Sequence, residues 1–230
     1  MIIWFASGNM DKKRELEGIL AEKGEHWEIK TPSEAGIDFE PLETGKSFLE
    51  NAIIKAEYLY RLLEESKASD KCRSNLLHES SLIIADDSGI CVDALDGRPG
   101  IHSARYAGAK NLNKDGINLK AAERNALLLE ELGANPLRNA RFVCAMVLYC
   151  DPNRFFSAQE TLEGELVQNI EAARGTGGHG YDPIFLIPEL GLTAAELSED
   201  DKNRISHRGK AGRAIAFLIH SLLNESTTPP

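Results

Sequence analysis

Apolar and polar positions alternate along the chain in a way that predicts strands and helices in turn. The opening run MIIWFA, residues 1–6, is apolar and β-prone, and SGN breaks it. Leu16, Ile19 and Leu20 then fall on one helical face, with Gly24 as a stop. A second helix is predicted to start near Ser47, where Ser47 and Glu50 have capping-box spacing, and Leu49, Ala52, Ile53, Ala56, Tyr60 and Leu63 recur at threes and fours. The tract from Glu64 to Ser81 has no sustained period and reads as a helix end plus loop. SLIIADDSG then predicts a short buried strand that stops at two carboxylates. Further on, Asn118 to Leu132 reads as a helix closed by Gly133, Ala140 to Cys150 as a long strand, and Arg154 to Leu166 as its hairpin partner. Thr193 and Glu196 cap a short helix, and the last helix runs from about His207 to Leu223. The pattern predicts an α/β fold with a mixed β-sheet flanked by helices.

Length and charge narrow the picture. A compact chain of 230 residues buries roughly 70–75% of its unfolded surface, enough for a single two-lobed domain over residues 1–223 with a frayed tail at 224–230. A formal charge of −10 argues against nucleic acid as a partner, because that recognition needs a basic patch. A small anion held by a few local cations stays open. The four cysteines, Cys72, Cys91, Cys144 and Cys150, have neither C-x-x-C spacing nor histidine neighbours, as expected of reduced packing residues. The apolar run FVCAMVLYC is far shorter than the ~20 residues that span a bilayer. With no basic region before the first apolar run, a cytoplasmic protein without membrane contact is expected.

Four stretches interrupt regular elements with polar chemistry. Ser7, Gly8, Asn9, Met10, Asp11 and Lys12 lie at a strand-to-helix turn, where backbone amides and a lysine suit phosphate oxygens. Equally, Asn9 caps the helix and Lys12 is solvated. ADDSG, residues 85–89, places two adjacent carboxylates after a buried run, which a hard cation such as Mg²⁺ would offset, although Asp-Ser-Gly is also an ordinary turn. Glu43 is a third carboxylate for the same ion, or a surface acid. Lys202, His207 and Arg208 could clamp phosphate or a base edge; otherwise Lys202 is exposed and His207 is a cap.

The fourth stretch, GTGGHGYDPIF, contains a literal G-x-G-x-x-G. A dinucleotide fingerprint needs a helix directly after it, but Pro183 disfavours the α conformation at Asp182 and the segment reads as extended. The glycines then allow close approach to a ligand, with Tyr181 and Asp182 supplying an aromatic face and an acceptor.

FASGNMDKKREL, ETGKSFLENAIIKA, ADDSGICVDALDGRPGIHSARYAG, GTGGHGYDPIF and TAAELSEDDKNRISHRGKA, in this order over nearly the whole chain, resemble the Ham1/inosine triphosphate pyrophosphatase family. The resemblance implies an elongated mixed sheet, two lobes and a central substrate cleft. It also implies a homodimer that uses Mg²⁺ to hydrolyse non-standard purine nucleoside triphosphates (ITP, dITP, XTP and dXTP) to the monophosphate and pyrophosphate. Position by position, it implies Ser7 to Lys12 at the triphosphate, Asp87 as general base, and Glu43 with Asp87 at the metal. Ser88 and Lys202 contact substrate, His207 and Arg208 contact base and phosphate, and His179, Gly180, Tyr181 and Asp182 form part of the base pocket. The family commonly has phenylalanine where this chain has His179, and imidazole stacks with less area and a titratable charge. The Glu64 to Ser81 tract is also longer than usual in that family.

Three rival readings remain. They are a pyrophosphatase for modified pyrimidine nucleotides on the same scaffold, a nucleotide-binding module without turnover, and a nicotinamide oxidoreductase built on the glycine motif.

Overall fold

The computed structural model describes residues 2–21, 27–68, 82–108, 119–178 and 180–225. Elements follow in the order β1 (Ile2–Phe5), α1 (Met10–Ala21), β2 (Glu28–Lys30), α2 (Phe48–Ala68), β3 (Leu82–Val92), α3 (Ala121–Leu132), β4 (Asn139–Asp151), β5 (Arg154–Leu166), β6 (Phe185–Ile187), β7 (Leu192–Thr193), α4 (Glu199–Ile205) and α5 (His207–Glu225), with short 3₁₀ turns between some of them. The strands form one seven-stranded sheet in the order β2-β1-β3-β4-β5-β6-β7. β1 runs parallel to β2 and β3, pairing Ile3 with Ile29 and Phe5 with Ile84, whereas β6 is antiparallel to β5 and β7. The sheet is therefore mixed, as the alternation of elements predicts.

The chain divides into two compact units. The first comprises residues 1–87, 144–160 and 208–230, the second residues 88–143 and 161–207. In the first, the two-residue period of the strands sorts side chains onto two helix layers. Ile3, Phe5, Ile84, Cys144, Met146 and Leu148 pack with Leu16 and Leu20 of α1 and Ala211, Ile215 and Ile219 of α5. Their neighbours Trp4, Ala6, Ile83, Ala85, Val147 and Tyr149 face the other way, against Ala52, Ala56, Leu59 and Leu63 of α2. Strands buried on both faces explain why MIIWFA and LIIA read as continuous apolar runs. α5 lies close on α1 at Gly212, where an added Cβ would stand 2.9 Å from Ile19.

In the second unit, Leu128, Leu129 and Leu132 of α3 pack with Ile90, Val92, Phe142, Leu166, Phe185 and Ile187. The rings of Phe142 and Phe185 lie 4.4 Å apart. The buried Arg138 donates from Nε to the Leu166 carbonyl at 3.0 Å, from Nη1 to that of Gly133 at 2.9 Å, and from Nη2 to Val167 and Gln168. One side chain thus closes the C-terminal end of α3 and the exit of β5.

The strand that was to stop at Asp86 and Asp87 runs on through Ser88 to Val92. Both carboxylates are met by cations, which removes the cost that would end a buried strand there. Gly89 also fits a strand here because an added Cβ would come within 2.5 Å of the Gly100 carbonyl. The element after Thr193 is a 3₁₀ turn, Ala194–Glu196, and carries the expected capping box. Gly24, Cys72, most of the Glu64 to Ser81 tract, Asn118, His179 and residues 226–230 lie outside the described residues. Among the described residues Cys91, Cys144 and Cys150 are free thiols, and no helix is long and apolar enough to cross a membrane.

Candidate active site

β3 carries the two adjacent candidate carboxylates, and its period decides where each points. Asp86 shares the parity of Ile84 and so projects to the α1 and α5 side; Asp87 shares the parity of Ile83 and Ala85 and projects to the α2 side. Two adjacent carboxylates therefore acquire separate surroundings.

Asp86, 1% exposed, is held by cations from two helices. Lys12 of α1 donates from Nζ to both its oxygens at 2.9 and 3.0 Å. Arg208 of α5 approaches Oδ2 from Nε and Nη2, each at 3.4 Å, and is also paired with Glu15. Burial alone would raise the Asp86 carboxyl, but Lys12, Arg208 and Lys55 outweigh it and hold it well below the ordinary aspartate value. Asp86 is a fixed anion.

Asp87, 7% exposed, faces α2. Lys55 Nζ donates to Oδ1 at 2.7 Å and Asn51 Nδ2 donates to Oδ2 at 3.2 Å. Lys55 Nζ also lies 3.0 Å from Glu43 Oε1, so one ammonium joins the two acids expected at the metal. Burial pushes the Asp87 carboxyl up, Glu43 adds to this, and Lys55 and Lys12 oppose it without cancelling it. A raised proton affinity suits a general base better than an ordinary aspartate would. Burial would lower the Lys55 ammonium, yet Asp87, Asp86 and Glu43 raise it, so it stays charged.

The turn before α1 is capped. Asn9 Oδ1 accepts from the amides of Asp11 at 2.9 Å and Lys12 at 3.2 Å, and Ser7 Oγ accepts from the Asn9 amide at 3.1 Å. Gly8, Asn9, Met10 and Asp11 are exposed. The structural reading of Asn9 as a cap holds, while the solvated reading of Lys12 does not. Even so, an exposed helix N-terminus beside a lysine retains the field that attracts an anion.

The second unit holds the other expected residues. Asp182, 4% exposed, accepts from Lys202 Nζ at 2.7 Å, so Lys202 is not a free surface lysine. Tyr181 is buried and its hydroxyl donates to the Ser103 carbonyl at 2.8 Å, while the Gly180 carbonyl accepts from Asn125 Nδ2 at 3.1 Å. His207 opens α5 and its ring stacks on Phe142 with centroids 5.0 Å apart. Ser88 is half-buried on β3. Gly175, Gly177 and Gly178 serve close packing within the chain, whereas at Gly180 the space is open and a φ of +69° is what favours glycine. A Cβ at Gly175 would stand 2.5 Å from the Ala195 carbonyl, and one at Gly178, where φ is +69°, would run into the Asp182 carboxylate. Asp182–Ile184 is a 3₁₀ turn, so no helix opens on the glycine motif as a dinucleotide site requires.

Sequence reasoning missed Lys55, Asn51, Glu15 and the separate part played by Asp86. The signal for the first two was present: Asn51 and Lys55 are four residues apart on the stripe that carries Ala52, Ala56 and Leu59. A polar pair on the buried face of a helix calls for partners.

The model of the Ham1 family matches residues 3–217. A protein of Treponema denticola named dITP/XTP pyrophosphatase is 44% identical over 219 residues, covering 95% of this chain and 98% of its own. Solved structures of Ham1 proteins from Coxiella burnetii and Staphylococcus aureus superpose with TM-scores of 0.76 and 0.73 at 32% and 33% identity, each covering 96% of this chain and 99% of the other. With a family model spanning nearly its whole length and relatives this similar end to end, the chain belongs to the Ham1 family.

Proposed function

We propose that this protein hydrolyses non-standard purine nucleoside triphosphates (ITP, dITP, XTP and dXTP) to the nucleoside monophosphate and pyrophosphate. The observation that carries the reading is the buried Asp87, its proton affinity raised, sharing Lys55 with Glu43. Relatives named dITP/XTP pyrophosphatase at about this length support the substrate class. In the reaction, water attacks the α-phosphorus and Asp87 accepts its proton. The bond to the bridging oxygen breaks, and its electron pair leaves with pyrophosphate.

The donor set fits Mg²⁺. Glu43 and Asp87 are hard oxygen donors brought together at one ammonium. Magnesium is typically bound by one or two carboxylates plus substrate phosphates and water. Among the described residues no group of three acidic, histidine or cysteine side chains gathers into a fuller cage. Glu43 and Asp87 would hold the ion, which when bound supplies charge neutralisation on the phosphate oxygens. Lys12 and the α1 N-terminus meet the triphosphate, and Asp86 keeps Lys12 in place. Arg208 reaches a phosphate only by sharing its pair with Asp86. Ser88, Lys202, His207 and the residues from His179 to Asp182 belong to recognition of substrate and base. The reading includes a homodimer in the cytoplasm.

The test is pyrophosphate release from ITP, dITP, XTP, ATP, GTP and dUTP with Mg²⁺, beside Asp87→Asn. Release confined to inosine and xanthosine nucleotides is expected, and loss of a general base should slow it by about 10²–10⁴-fold. Preference for dUTP would favour the pyrimidine reading. Bound triphosphate without pyrophosphate would favour a module without turnover, and an NAD-induced rise in melting temperature would favour the oxidoreductase.

A further inference from the structure

Asn51 is 1% exposed, sits in the first turn of α2, and uses both ends of its amide. Its Oδ1 accepts from the Gly45 backbone N–H at 2.9 Å, and its Nδ2 donates to Asp87 Oδ2 at 3.2 Å. The orientation of the amide follows from chemistry, because a backbone N–H can only donate and an ionised carboxylate can only accept. Lys55, one turn further along the same face, holds the other oxygen of Asp87 and Glu43. The approach of residue 45 is close: a Cβ at Gly45 would stand 2.6 Å from Asn51 Oδ1 and 2.9 Å from the Asn51 amide nitrogen. Only glycine lets that strap, which carries Glu43 two residues earlier, lie against the helix.

We infer that Asn51 is a positioning residue for the reaction, which sets the aim of Asp87 and pins the strap bearing Glu43, so that both acids keep fixed places relative to Lys55. This rests on the pyrophosphohydrolase reading. Lys55 alone fixes one oxygen of Asp87 and leaves the carboxylate free to swing about it; the donor on Oδ2 removes that freedom. Loss of a partner that orients a ligating or catalytic group typically costs 10–100-fold.

Two variants separate the halves of the role. Asn51→Asp keeps the acceptor for Gly45 and replaces the donor to Asp87 by a repelling oxygen. Asn51→Ala removes both contacts and adds no charge. Each is measured for kcat and KM with dITP and Mg²⁺, for melting temperature, and for binding of a non-hydrolysable dITP analogue by calorimetry. The expected result is a 10–100-fold fall in kcat with KM and analogue affinity within about threefold of wild type, and for Asn51→Asp a nearly unchanged melting temperature. If one variant does not fold, the other decides. A kcat within twofold of wild type in a folded variant overturns the inference, as does a loss carried wholly by KM or tracking melting temperature. Wild-type protein that releases no pyrophosphate from dITP would instead overturn the reading on which the inference rests.

Discussion

At the scale of single residues, Asp86 and Asp87 show how one peptide bond separates a carboxyl held low from one pushed up. Asp86 is sunk among Lys12, Arg208 and Lys55, and its carboxyl is held low. A group whose folded value lies below its unfolded value, about 3.9 for aspartate, stabilises the fold above that pH, and the contribution is lost as pH falls through the folded value. Asp86→Asn is therefore expected to lower stability by about 3–5 kcal/mol near neutral pH, since it takes the anion from the part-buried Lys12 and one anion from the buried Arg208, which keeps Glu15. It is also expected to flatten the pH dependence of stability below about pH 4, read from urea midpoints across an acid series. A loss below about 1 kcal/mol would show that Lys12 and Arg208 do not depend on Asp86.

At the scale of elements, much of the fold was legible and one feature was not. β1, α1, the capped start of α2, the β4–β5 hairpin and α5 follow from apolar periodicity and caps, because each buries one face or stripe against a neighbour. β3 was read too short because Asp-Asp-Ser-Gly is a turn signal in isolation. Compensation by Lys12, Lys55 and Arg208, remote in sequence, lets the strand continue. That error hid the parity sending the two acids to opposite faces, and with it the link between Asp87 and the polar pair on α2. Lys12, Glu43 and Asp87 drew attention because each follows a break in the apolar pattern of the sequence; Asn51 and Lys55 did not, because they lie inside the regular stripe of one helix. Arg138 makes a prediction at this scale. Its planar fork joins carbonyls at the end of α3 and after β5, and lysine cannot reproduce that geometry. Arg138→Lys should cost about 1.5–3 kcal/mol in urea unfolding. A change within about 0.5 kcal/mol would mean the carbonyls find other donors.

At the scale of the whole molecule, an acidic chain with a charge of −10 places two of its buried cations, Lys55 and Arg208, on the two sides of one strand. A small polyanion that brings its own Mg²⁺ suits such a site better than a nucleic acid would. Attack at the α-phosphorus distinguishes a pyrophosphohydrolase from an enzyme that removes a terminal phosphate. The most direct measurement is hydrolysis of dITP in ¹⁸O-enriched water, with the products separated and weighed by mass spectrometry. Attack at the α-phosphorus places one ¹⁸O in dIMP and none in pyrophosphate. Label in pyrophosphate, or in free phosphate beside dIDP, would contradict it.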